Sequence, residues 1–386
     1  MATGPKRITI LGSTGSIGRS ALDVVRTAPG AFEIVGLSAF RNVELLFEQA
    51  REFGAERVVV GEGRGEGVEP PEGVVLGRGV EALEELAADG SVDLVLNALV
   101  GSAGLRPALA SVGAGLRLAL ANKESLVMAG GLITRTAERT DAEIIPVDSE
   151  HNAIFRCLRA AEAREVEGVV LTASGGPLRD APEEAFADAT VEDVLAHPTW
   201  SMGTKVTVDS ATLVNKAMEI IEAHWLFGLP YDRIEAVVHR ESIVHSFVRL
   251  SDGTLLAHLA MPDMRVPIQY ALYYPDPPPA AFGECSPAEL GRLSFEPVDP
   301  TRYPCFGIVM EAARAGGAAP LAAATADEVA VEAFVAGDLA LGEIERVIGG
   351  TLAETAPGRV DDLESAVAAA ERARAIARRI VGERAI

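Results

Sequence analysis

The sequence contains few cysteines, few basic residues and no long apolar run. Its three cysteines, Cys157, Cys285 and Cys305, are widely separated and odd in number, so neither a disulfide framework nor a thiolate metal site is indicated. No apolar segment reaches the roughly 20 residues that cross a bilayer. The N-terminal residues pass directly into an apolar strand pattern, so we expect no membrane span, no signal peptide and a cytoplasmic location.

Basic residues are outnumbered, because 34 Lys and Arg stand against 56 Asp and Glu and give a formal net charge of −22. A protein with this charge repels nucleic acid and anionic membranes, so we expect neither as a partner. To bind an anionic ligand, it has to gather cations or backbone N–H groups locally. The few Lys and Arg residues close to glycine-rich turns are therefore its candidate anion-binding groups.

The apolar pattern divides the 386 residues into four segments. Residues 1–150 alternate short apolar runs with helical periodicity, which predicts a doubly wound, Rossmann-like parallel sheet and an α/β fold class. Residues 151–274 combine helices, strands and a hairpin signal at 251–253, which predicts an α+β catalytic domain. Residues 275–303 are rich in proline and predict a linker, and the Ala-rich residues 304–386 predict a C-terminal helical bundle.

A glycine-rich turn follows the first predicted strand and leads into a helix. It reads Gly12-Ser13-Thr14-Gly15-Ser16-Ile17-Gly18. Its glycines allow a tight turn, and its N–H groups at a helix N-terminus can hold a phosphate. Because the spacing differs from G-x-G-x-x-G, an ordinary strand–helix turn is the alternative. The position at the first strand–helix junction favours a dinucleotide site.

The second predicted strand, Phe32–Leu37, indicates which dinucleotide binds. The corresponding strand of an NAD site ends with an acid that accepts a hydrogen bond from the ribose 2′-hydroxyl. Here residues 38–42 contain no acid and end with Arg41 and Asn42. A guanidinium pairs with a 2′-phosphate, so the sequence favours NADP, with an isolated surface arginine as the alternative.

Three acidic residues are candidate metal ligands. Asp148 and Glu150 follow the predicted strand Glu143–Val147, and in an extended chain residues i and i+2 point to one face. Hard oxygen donors with no neighbouring cysteine suit Mg²⁺ or Mn²⁺. A third carboxylate, Glu219, on the predicted helix Ser210–Leu226 strengthens this interpretation. A solvated acidic turn is the alternative in a chain this acidic.

The predicted helix Ser210–Leu226 carries a stripe of chemically varied polar groups, namely Thr212, Asn215, Lys216 and Glu219. Asn215 and Lys216 can hold hydroxyl and phosphate oxygens, and Ser210 near the helix start adds a hydroxyl and N–H groups. The turn Ser174-Gly175-Gly176 after a buried strand predicts a second phosphate cradle. A polar stripe is also typical of a solvent-exposed helix face, which is the alternative.

The segment His197–Gly203 has no core periodicity and carries Trp200 and Met202 on a loop bounded by proline and glycine. A loop of this kind can close over a substrate and exclude water. A surface loop held down by Trp200 is the alternative. His151, His245 and His258 have no metal-ligand spacing, so each can equally be a packed histidine.

Seven sequence blocks resemble those of the 1-deoxy-D-xylulose 5-phosphate reductoisomerase family and occur in that family's order. They are GSTGSIG (12–18), ANKESLV (121–127), PVDSEHNA (146–153), LTASGGP (171–177), HPTWSMG (197–203), VDSATLVNKAME (208–219) and PDMRVP (262–267). The resemblance extends from the first strand to the C-terminal helices. It implies a homodimer that uses NADPH and a divalent metal to convert 1-deoxy-D-xylulose 5-phosphate into 2-C-methyl-D-erythritol 4-phosphate.

The same resemblance implies roles for individual residues. Asp148, Glu150 and Glu219 would bind Mg²⁺, Mn²⁺ or Co²⁺ and act in catalysis together with Lys123. The implied substrate contacts are Lys123, Ser149, Glu150, Ser174, His197, Trp200, Ser210, Asn215, Lys216 and Glu219. The implied cofactor contacts are Gly12, Ser13, Thr14, Gly15, Ser16, Ile17, Arg41, Asn42, Asn122, Glu124 and Gly203. His197, Trp200 and Met202 would belong to a closing flap at 197–205, and His151, His245 and Met264 would line the pocket.

Several positions depart from the family pattern. Thr199 stands where Asn is common, Arg240-Glu241 replaces Pro-Gln, Phe247 replaces Met, Leu178 stands where Phe is common, and Arg41 stands where Lys is frequent. None of these changes removes a proposed ligand or charge. We therefore expect them to alter pocket affinity rather than the type of reaction.

Two other functions are compatible with parts of the sequence. An NADP-dependent dehydrogenase of the homoserine or semialdehyde type would share the first domain and need no three-carboxylate metal site. A non-catalytic NADP sensor would bind the dinucleotide without oxidising it. The spread of candidate groups over separate strands and helices argues against a pure sensor.

Overall fold

The computed structural model describes residues 4–65, 67–182, 186, 188–200, 202–356 and 358–383. The chain divides into two units. Unit 1 consists of Met1–Ser125, Ile133–Asn152 and Asp263–Glu284, and unit 2 consists of Leu126–Leu132, Ala153–Pro262 and Cys285–Ile386. No helix within the described ranges is both long and apolar enough to cross a membrane.

Unit 1 is built on a parallel sheet. Its strands are β1 (Lys6–Leu11), β2 (Phe32–Ala39), β3 (Arg57–Val60), β4 (Val75–Arg78), β5 (Leu94–Asn97), β6 (Arg117–Leu120) and β7 (Ile144–Pro146). They lie in the order β4-β3-β2-β1-β5-β6-β7, and every adjacent pair is parallel. The order reverses at β1, so the predicted doubly wound sheet is confirmed. The edge strand β4 was not predicted, because its partly exposed residues give no buried apolar run.

Unit 2 contains a second, mixed sheet. Its strands are β8 (Val166–Ala173), β9 (Ile234–Val238), β10 (Val244–Leu250), β11 (Leu255–Leu259) and β12 (Glu296–Pro297), in the order β11-β10-β8-β9-β12. The predicted hairpin at 251–253 is confirmed, since β10 and β11 pair antiparallel. β8 and β9 pair in parallel. β12 comes from the segment 275–303 that was predicted as a linker, so part of that segment belongs to the sheet.

The helices follow the predicted periodicity in most places. They are α1 (Ser16–Arg26), α2 (Val43–Phe53), α3 (Gly79–Ala87), α4 (Leu105–Gly113), α5 (Lys123–Thr140), α6 (Ser149–Leu158), α7 (Val191–Leu195), α8 (Thr204–Ala211), α9 (Val214–Phe227), α10 (Arg265–Tyr273), α11 (Pro287–Leu290), α12 (Pro304–Ala315), α13 (Ala319–Ala336), α14 (Ile344–Glu354) and α15 (Leu363–Gly382). The helical character predicted for residues 304–386 is confirmed in α12–α15.

Residues 263–284 belong to unit 1 rather than to the sheet of unit 2. The Nζ atom of Lys6 at the start of β1 donates to the carbonyl oxygens of Leu272 and Tyr274 at 2.7 and 2.9 Å. Phe32 meets Tyr273 edge to face, with ring centres 4.9 Å apart. These contacts fix α10 on unit 1, so the compact units differ in their bounds from the predicted domains 151–274 and 275–303.

The prediction of one helix over Ser210–Leu226 is wrong. The chain forms α8 and α9 instead, separated at Leu213, whose φ of 56 is left-handed. α8 ends at Ala211 with Thr212 as its C-cap, and α9 begins at Val214. The apolar residues Leu213 and Val214 are both buried, so the helical periodicity continues across the break and does not reveal it.

Candidate active site

The glycine-rich turn between β1 and α1 leaves no room for side chains at two positions. Gly12 has φ +84, and a Cβ there would lie 2.7 Å from the carbonyl oxygen of Ala98. A Cβ on Gly18 would lie 2.3 Å from the carbonyl oxygen of Gly12. Gly15 is the N-cap of α1 and carries no side chain. The positive end of the helix dipole is thereby accessible to an anion at this turn.

Ser13 stabilises the turn from the inside. It is fully buried, its Oγ donates to Oε1 of Gln49 at 2.7 Å, and its N–H donates to the carbonyl oxygen of Ser38 at 2.9 Å. Residues 14–17 are half-buried or exposed. Of the predicted cofactor contacts in this turn, residues 14–17 therefore present surface to a ligand, and Ser13 shapes the backbone behind them.

Arg41 and Asn42 follow β2 at the carboxyl edge of the sheet. Asn42 caps α2 by accepting the Leu45 N–H at 3.1 Å. Phe40 is exposed, and the guanidinium carbons of Arg41 and Arg64 lie 5.6 and 5.7 Å from the centre of its ring. Arg64, on the loop after β3, was missed because one arginine in a Gly- and Glu-rich loop has no local signature. The two guanidinium groups concentrate positive charge beside Phe40, and a contact of Arg41 with a 2′-phosphate stays a prediction.

Asn122 and Glu124 occupy the start of α5. Asn122 is buried, its Nδ2 donates to the carbonyl oxygens of Leu99 and Gly101 at 3.0 Å, and its Oδ1 accepts the Ser125 N–H at 3.1 Å. The same Nδ2 donates to Oε2 of Glu124 at 2.9 Å. These bonds tie the start of α5 to the loop after β5, and a contact of either residue with the cofactor stays a prediction.

Lys123 and Asp148 form a buried ion pair in unit 1. The Nζ of Lys123 lies 2.5 Å from Oδ2 of Asp148, with side chains 10% and 15% exposed. Burial raises the pKa of the Asp148 carboxyl. The charges of Lys123 and His151 lower this pKa by more than burial raises it, so the pKa lies well below its ordinary value. Asp148 is therefore an ionised oxygen donor at neutral pH.

The prediction that Asp148 and Glu150 lie along an extended chain is wrong. β7 ends at Pro146 and α6 begins at Ser149, so Glu150 lies in the first turn of a helix. The Asn152 N–H donates to the Asp148 carbonyl oxygen at 2.8 Å and starts that helix. Asp148 and Glu150 nevertheless offer oxygens within 4.8 Å of each other, and the Ser149 hydroxyl donates to Glu150 at 2.6 Å. Unit 1 thus supplies two neighbouring hard oxygen donors.

In unit 2, the polar stripe of α9 forms one bonded group. The Glu219 carboxylate accepts hydrogen bonds from Nδ2 of Asn215 and Nζ of Lys216. Lys216 and Glu219 are 2% and 1% exposed. Buried charges persist only when they are paired, so this stripe is not the solvent-exposed face that the sequence left open.

The predicted position of Ser210 near a helix start is wrong. Ser210 is the penultimate residue of α8, and its Oγ donates to the carbonyl oxygen of Val206 at 2.8 Å. The helix start lies at Val214, so the N-terminal amides of α9 belong to the segment with Asn215. A Cβ on Gly176 would lie 2.4 Å from the carbonyl oxygen of Ser210. The end of α8 therefore packs directly on the turn 174–176.

Ser174 and His197 are in contact. The Nε2 of His197 lies 3.0 Å from Oγ of Ser174, and the Gly176 N–H donates to the same Oγ at 3.2 Å. Burial and then the charge of Arg179 lower the pKa of His197 to about 4. The imidazole is therefore neutral at physiological pH and joins the predicted flap to the predicted phosphate cradle.

The other residues predicted for the flap and the pocket are divided between the two units. Trp200 has its ring centre 6.0 Å from that of His245, which lies 6.0 Å from that of His258. Burial lowers the pKa of His258 to about 4, with smaller contributions from Arg156 and His245.

Gly203 is the N-cap of α8. Position 201, inside the predicted flap 197–205, lies outside the described residues. In unit 1, His151 is fully buried and Met264 is the N-cap of α10.

A doubly wound parallel sheet whose first turn presents amides to an anion defines the class of dinucleotide-binding α/β proteins. The paired carboxylate and lysine side chains described above are candidate catalytic groups, so the site points to dinucleotide-binding enzymes within that class. Comparisons with known proteins narrow the class to one family.

Three family profiles match successive parts of the sequence. The profile described as 1-deoxy-D-xylulose 5-phosphate reductoisomerase matches residues 8–130. The profile for that enzyme's C-terminal domain matches residues 144–227, and the one described as DXP reductoisomerase C-terminal domain matches residues 259–376.

Two curated relatives carry the same description. The 1-deoxy-D-xylulose 5-phosphate reductoisomerase of Ralstonia nicotianae is 46% identical over 377 residues, which cover 95% of this chain and 96% of the relative. That of Moorella thermoacetica is 48% identical over 369 residues, which cover 94% and 95%.

Solved structures agree. The Zymomonas mobilis enzyme in complex with NADPH superposes with a TM-score of 0.88 at 35% identity, covering 98% of this chain and 100% of that one. A DOX-P reductoisomerase in complex with NADPH, fosmidomycin and magnesium gives a TM-score of 0.90 at 36% identity, covering 98% of each chain. The chain belongs to the 1-deoxy-D-xylulose 5-phosphate reductoisomerase family.

Proposed function

We propose that this protein converts 1-deoxy-D-xylulose 5-phosphate to 2-C-methyl-D-erythritol 4-phosphate, with NADPH and a divalent metal, in the non-mevalonate route to isoprenoid precursors. The observation that carries the proposal is similarity to reductoisomerases over 94–95% of the chain, together with an intact set of candidate ligands. In this proposal, residues 1–150 form the NADPH domain and residues 151–274 form the catalytic domain.

The NADPH site is proposed at the carboxyl edge of the unit 1 sheet. The accessible N-terminus of α1 suits the pyrophosphate, and the guanidinium groups beside Phe40 suit the 2′-phosphate. Asn122, Glu124 and Gly203 are proposed as further contacts. The NADPH named with the Zymomonas mobilis structure supports this cofactor.

The metal ligands are proposed to be Asp148, Glu150 and Glu219. The donor chemistry fits Mg²⁺ or Mn²⁺, with Co²⁺ as a further candidate, because all three ligands are carboxylates and no cysteine is among them. Lys123 holds Asp148 ionised, and Asn215 and Lys216 hold Glu219 in place. When bound, such a metal would polarise the carbonyl and hydroxyl oxygens of the substrate.

The substrate phosphate is proposed to bind Ser174, Ser210, Asn215 and Lys216. The support is that the turn 174–176 packs on the end of α8, and that α9 begins three residues after Ala211. Lys123 and Ser149 would contact the reacting part of the substrate near the carboxylates. Binding energy from the phosphate would position the reacting carbons.

The flap 197–205 is proposed to cover the substrate and exclude water. His197, Trp200 and Met202 would supply the closing surface, and His151, His245 and Met264 would line the pocket. The bond between His197 and Ser174 supports a flap that closes on the phosphate end of the substrate.

We further propose a homodimer and a cytoplasmic location. The edge strand β11 supports the dimer, because Leu255, Leu259 and Met261 at this edge are 51%, 40% and 41% exposed. An exposed apolar edge strand is a template for a second copy. Sedimentation of the wild type at the mass of one chain would contradict the dimer.

The decisive experiment mixes the protein with 1-deoxy-D-xylulose 5-phosphate, NADPH and Mn²⁺ and follows the absorbance of the reduced nicotinamide. We expect oxidation of NADPH that stops when a chelator is added and resumes with excess Mn²⁺. Turnover that survives exhaustive chelation would favour a metal-independent dehydrogenase. NADPH that binds but is never oxidised would favour a sensor.

A further inference from the structure

Tyr303 lies among the elements that carry the proposed phosphate ligands. It is 4% exposed and packs against Ala173 and Leu213. Ala173 ends β8 immediately before Ser174, and Leu213 separates α8 from α9. Phe186 meets the Tyr303 ring edge to face, with centres 6.1 Å apart. Three segments with proposed phosphate contacts therefore share one buried aromatic side chain.

The Tyr303 hydroxyl bonds the cradle itself. Its Oη donates to the carbonyl oxygen of Gly175 at 3.0 Å, and burial raises the pKa of this hydroxyl above its ordinary value, so it stays a donor. Gly175 and Gly176 have φ of +81 and +77. Two successive glycines have many accessible conformations. A buried hydrogen bond to the Gly175 carbonyl oxygen therefore restricts the conformation of the turn.

Arg179 makes a second bond of the same kind. Its Nη1 donates to the carbonyl oxygens of Ser174 at 2.9 Å and Arg240 at 3.1 Å. In a trans peptide, the carbonyl and the following N–H point in opposite directions. The two bonds therefore turn the Gly175 N–H away from Arg179 and the Gly176 N–H away from Tyr303, toward Oγ of Ser174.

We propose that Tyr303, together with Arg179, is a positioning residue that fixes the turn 174–176 in its phosphate-binding conformation. The inference rests on the proposed function, because that function assigns the phosphate to this turn. Both side chains act through the backbone carbonyls of the turn.

The test is Tyr303→Phe, which keeps the buried ring and removes only the hydroxyl. Losing one buried hydrogen bond to the turn is expected to raise the KM for 1-deoxy-D-xylulose 5-phosphate about 5-fold or more. The dissociation constant for inorganic phosphate, titrated calorimetrically with NADPH and Mg²⁺ present, should rise by a similar factor. The KM for NADPH and kcat should change less than about 2-fold.

The matched control is Tyr231→Phe in the same unit, where the ring stacks on His224 at 4.4 Å. It should leave phosphate affinity unchanged. Arg179→Lys keeps the positive charge but shortens the donor, and it should weaken phosphate binding in the same direction. Unchanged phosphate affinity in Tyr303→Phe overturns the proposal. A variant in which kcat, NADPH affinity and melting temperature fall along with phosphate affinity overturns it as well.

The proposed function and the positioning role of Tyr303 can be overturned separately. A wild type that binds phosphate but does not reduce the sugar phosphate overturns the proposed function, and phosphate titration of the variants still decides the role of Tyr303. A wild type that binds no phosphate overturns the positioning proposal directly.

Discussion

The Nε2 atom of His197 lies 3.0 Å from the Oγ atom of Ser174. The Nδ1 atom of His197 accepts the N–H groups of Thr199 and Trp200 at 3.1 and 2.9 Å, so the ring proton is on Nε2 and is donated to Ser174. Oγ of Ser174 also accepts the Gly176 N–H. The serine hydroxyl therefore keeps its own proton to donate, which suits a phosphate oxygen.

This arrangement predicts how stability depends on pH. The pKa of His197 falls from 6.5 to about 4 in the folded chain, so the unfolded chain binds more protons between these values. The contribution of His197 is fully present above pH 6.5 and is lost as the pH falls toward 4. We expect the unfolding free energy, measured by urea titration, to decrease in this window, and to decrease less in His197→Gln.

Identical pH profiles for the wild type and His197→Gln would contradict this prediction. His258 contributes to stability with the same pH dependence, since its pKa in the folded chain is also lowered to about 4. His258→Gln should flatten the same window, and the double variant should flatten it further.

Glu219→Gln is predicted to abolish most turnover while leaving NADPH binding nearly intact. The substitution removes a proposed ligand charge, so we expect kcat to fall about 100-fold or more and Mn²⁺ affinity, followed by electron paramagnetic resonance, to fall with it. Glu311→Gln, on the exposed face of α12, is the control. Equal losses of turnover and NADPH affinity would argue against separate metal and cofactor sites.

Arg41→Gln is predicted to weaken NADPH specifically. A charged hydrogen bond to the 2′-phosphate would be lost, so the KM for NADPH should rise about 10-fold, with the KM for NADH unchanged. Arg51→Gln on the exposed face of α2 should alter neither constant. A parallel rise in both KM values would show that Arg41 supports the fold rather than the 2′-phosphate.

Gly18→Ala is predicted to destabilise unit 1. Its Cβ would lie 2.3 Å from the Gly12 carbonyl oxygen and 2.4 Å from Cα of Ser13, so the turn has to move at a cost of about 1–3 kcal/mol. Thermal unfolding and NADPH titration should both report the loss. Gly90→Ala, with open space around the added methyl, should be neutral, and a wild-type melting temperature in Gly18→Ala would refute the close contact.

The sequence predicts those features that depend on local pattern. The alternating runs of unit 1, the hairpin at 251–253 and the C-terminal helices all have a period or a turn residue that identifies them. The break at Leu213 and the helical start at Ser149 were missed, because polar and apolar residues continue across both without a glycine or proline. Each error misplaced a candidate ligand, Glu150 or Ser210, on its element.

Residues whose contacts lie far away in the sequence were missed for another reason. Tyr303 is separated by 128 positions from Gly175, the residue to which it donates. Arg64 approaches Phe40 only because β2 and β3 are neighbours in the sheet. Such contacts arise from tertiary packing, and a single sequence without relatives contains no signal for them.

The left-handed Leu213 has an electrostatic consequence. Because Leu213 separates α8 from α9, a second helix dipole begins at this residue. The first hydrogen bond within α9 runs from the Ala217 N–H to the Leu213 carbonyl oxygen at 3.1 Å. The Val214 N–H donates to the Thr212 hydroxyl at 3.5 Å, and the amides of residues 214–216 precede the Ala217 bond at the positive end of the helix dipole. Peptide dipoles do not titrate, so a chain carrying 22 excess negative charges retains at this end an attraction for anions that acid or alkali leaves unaltered.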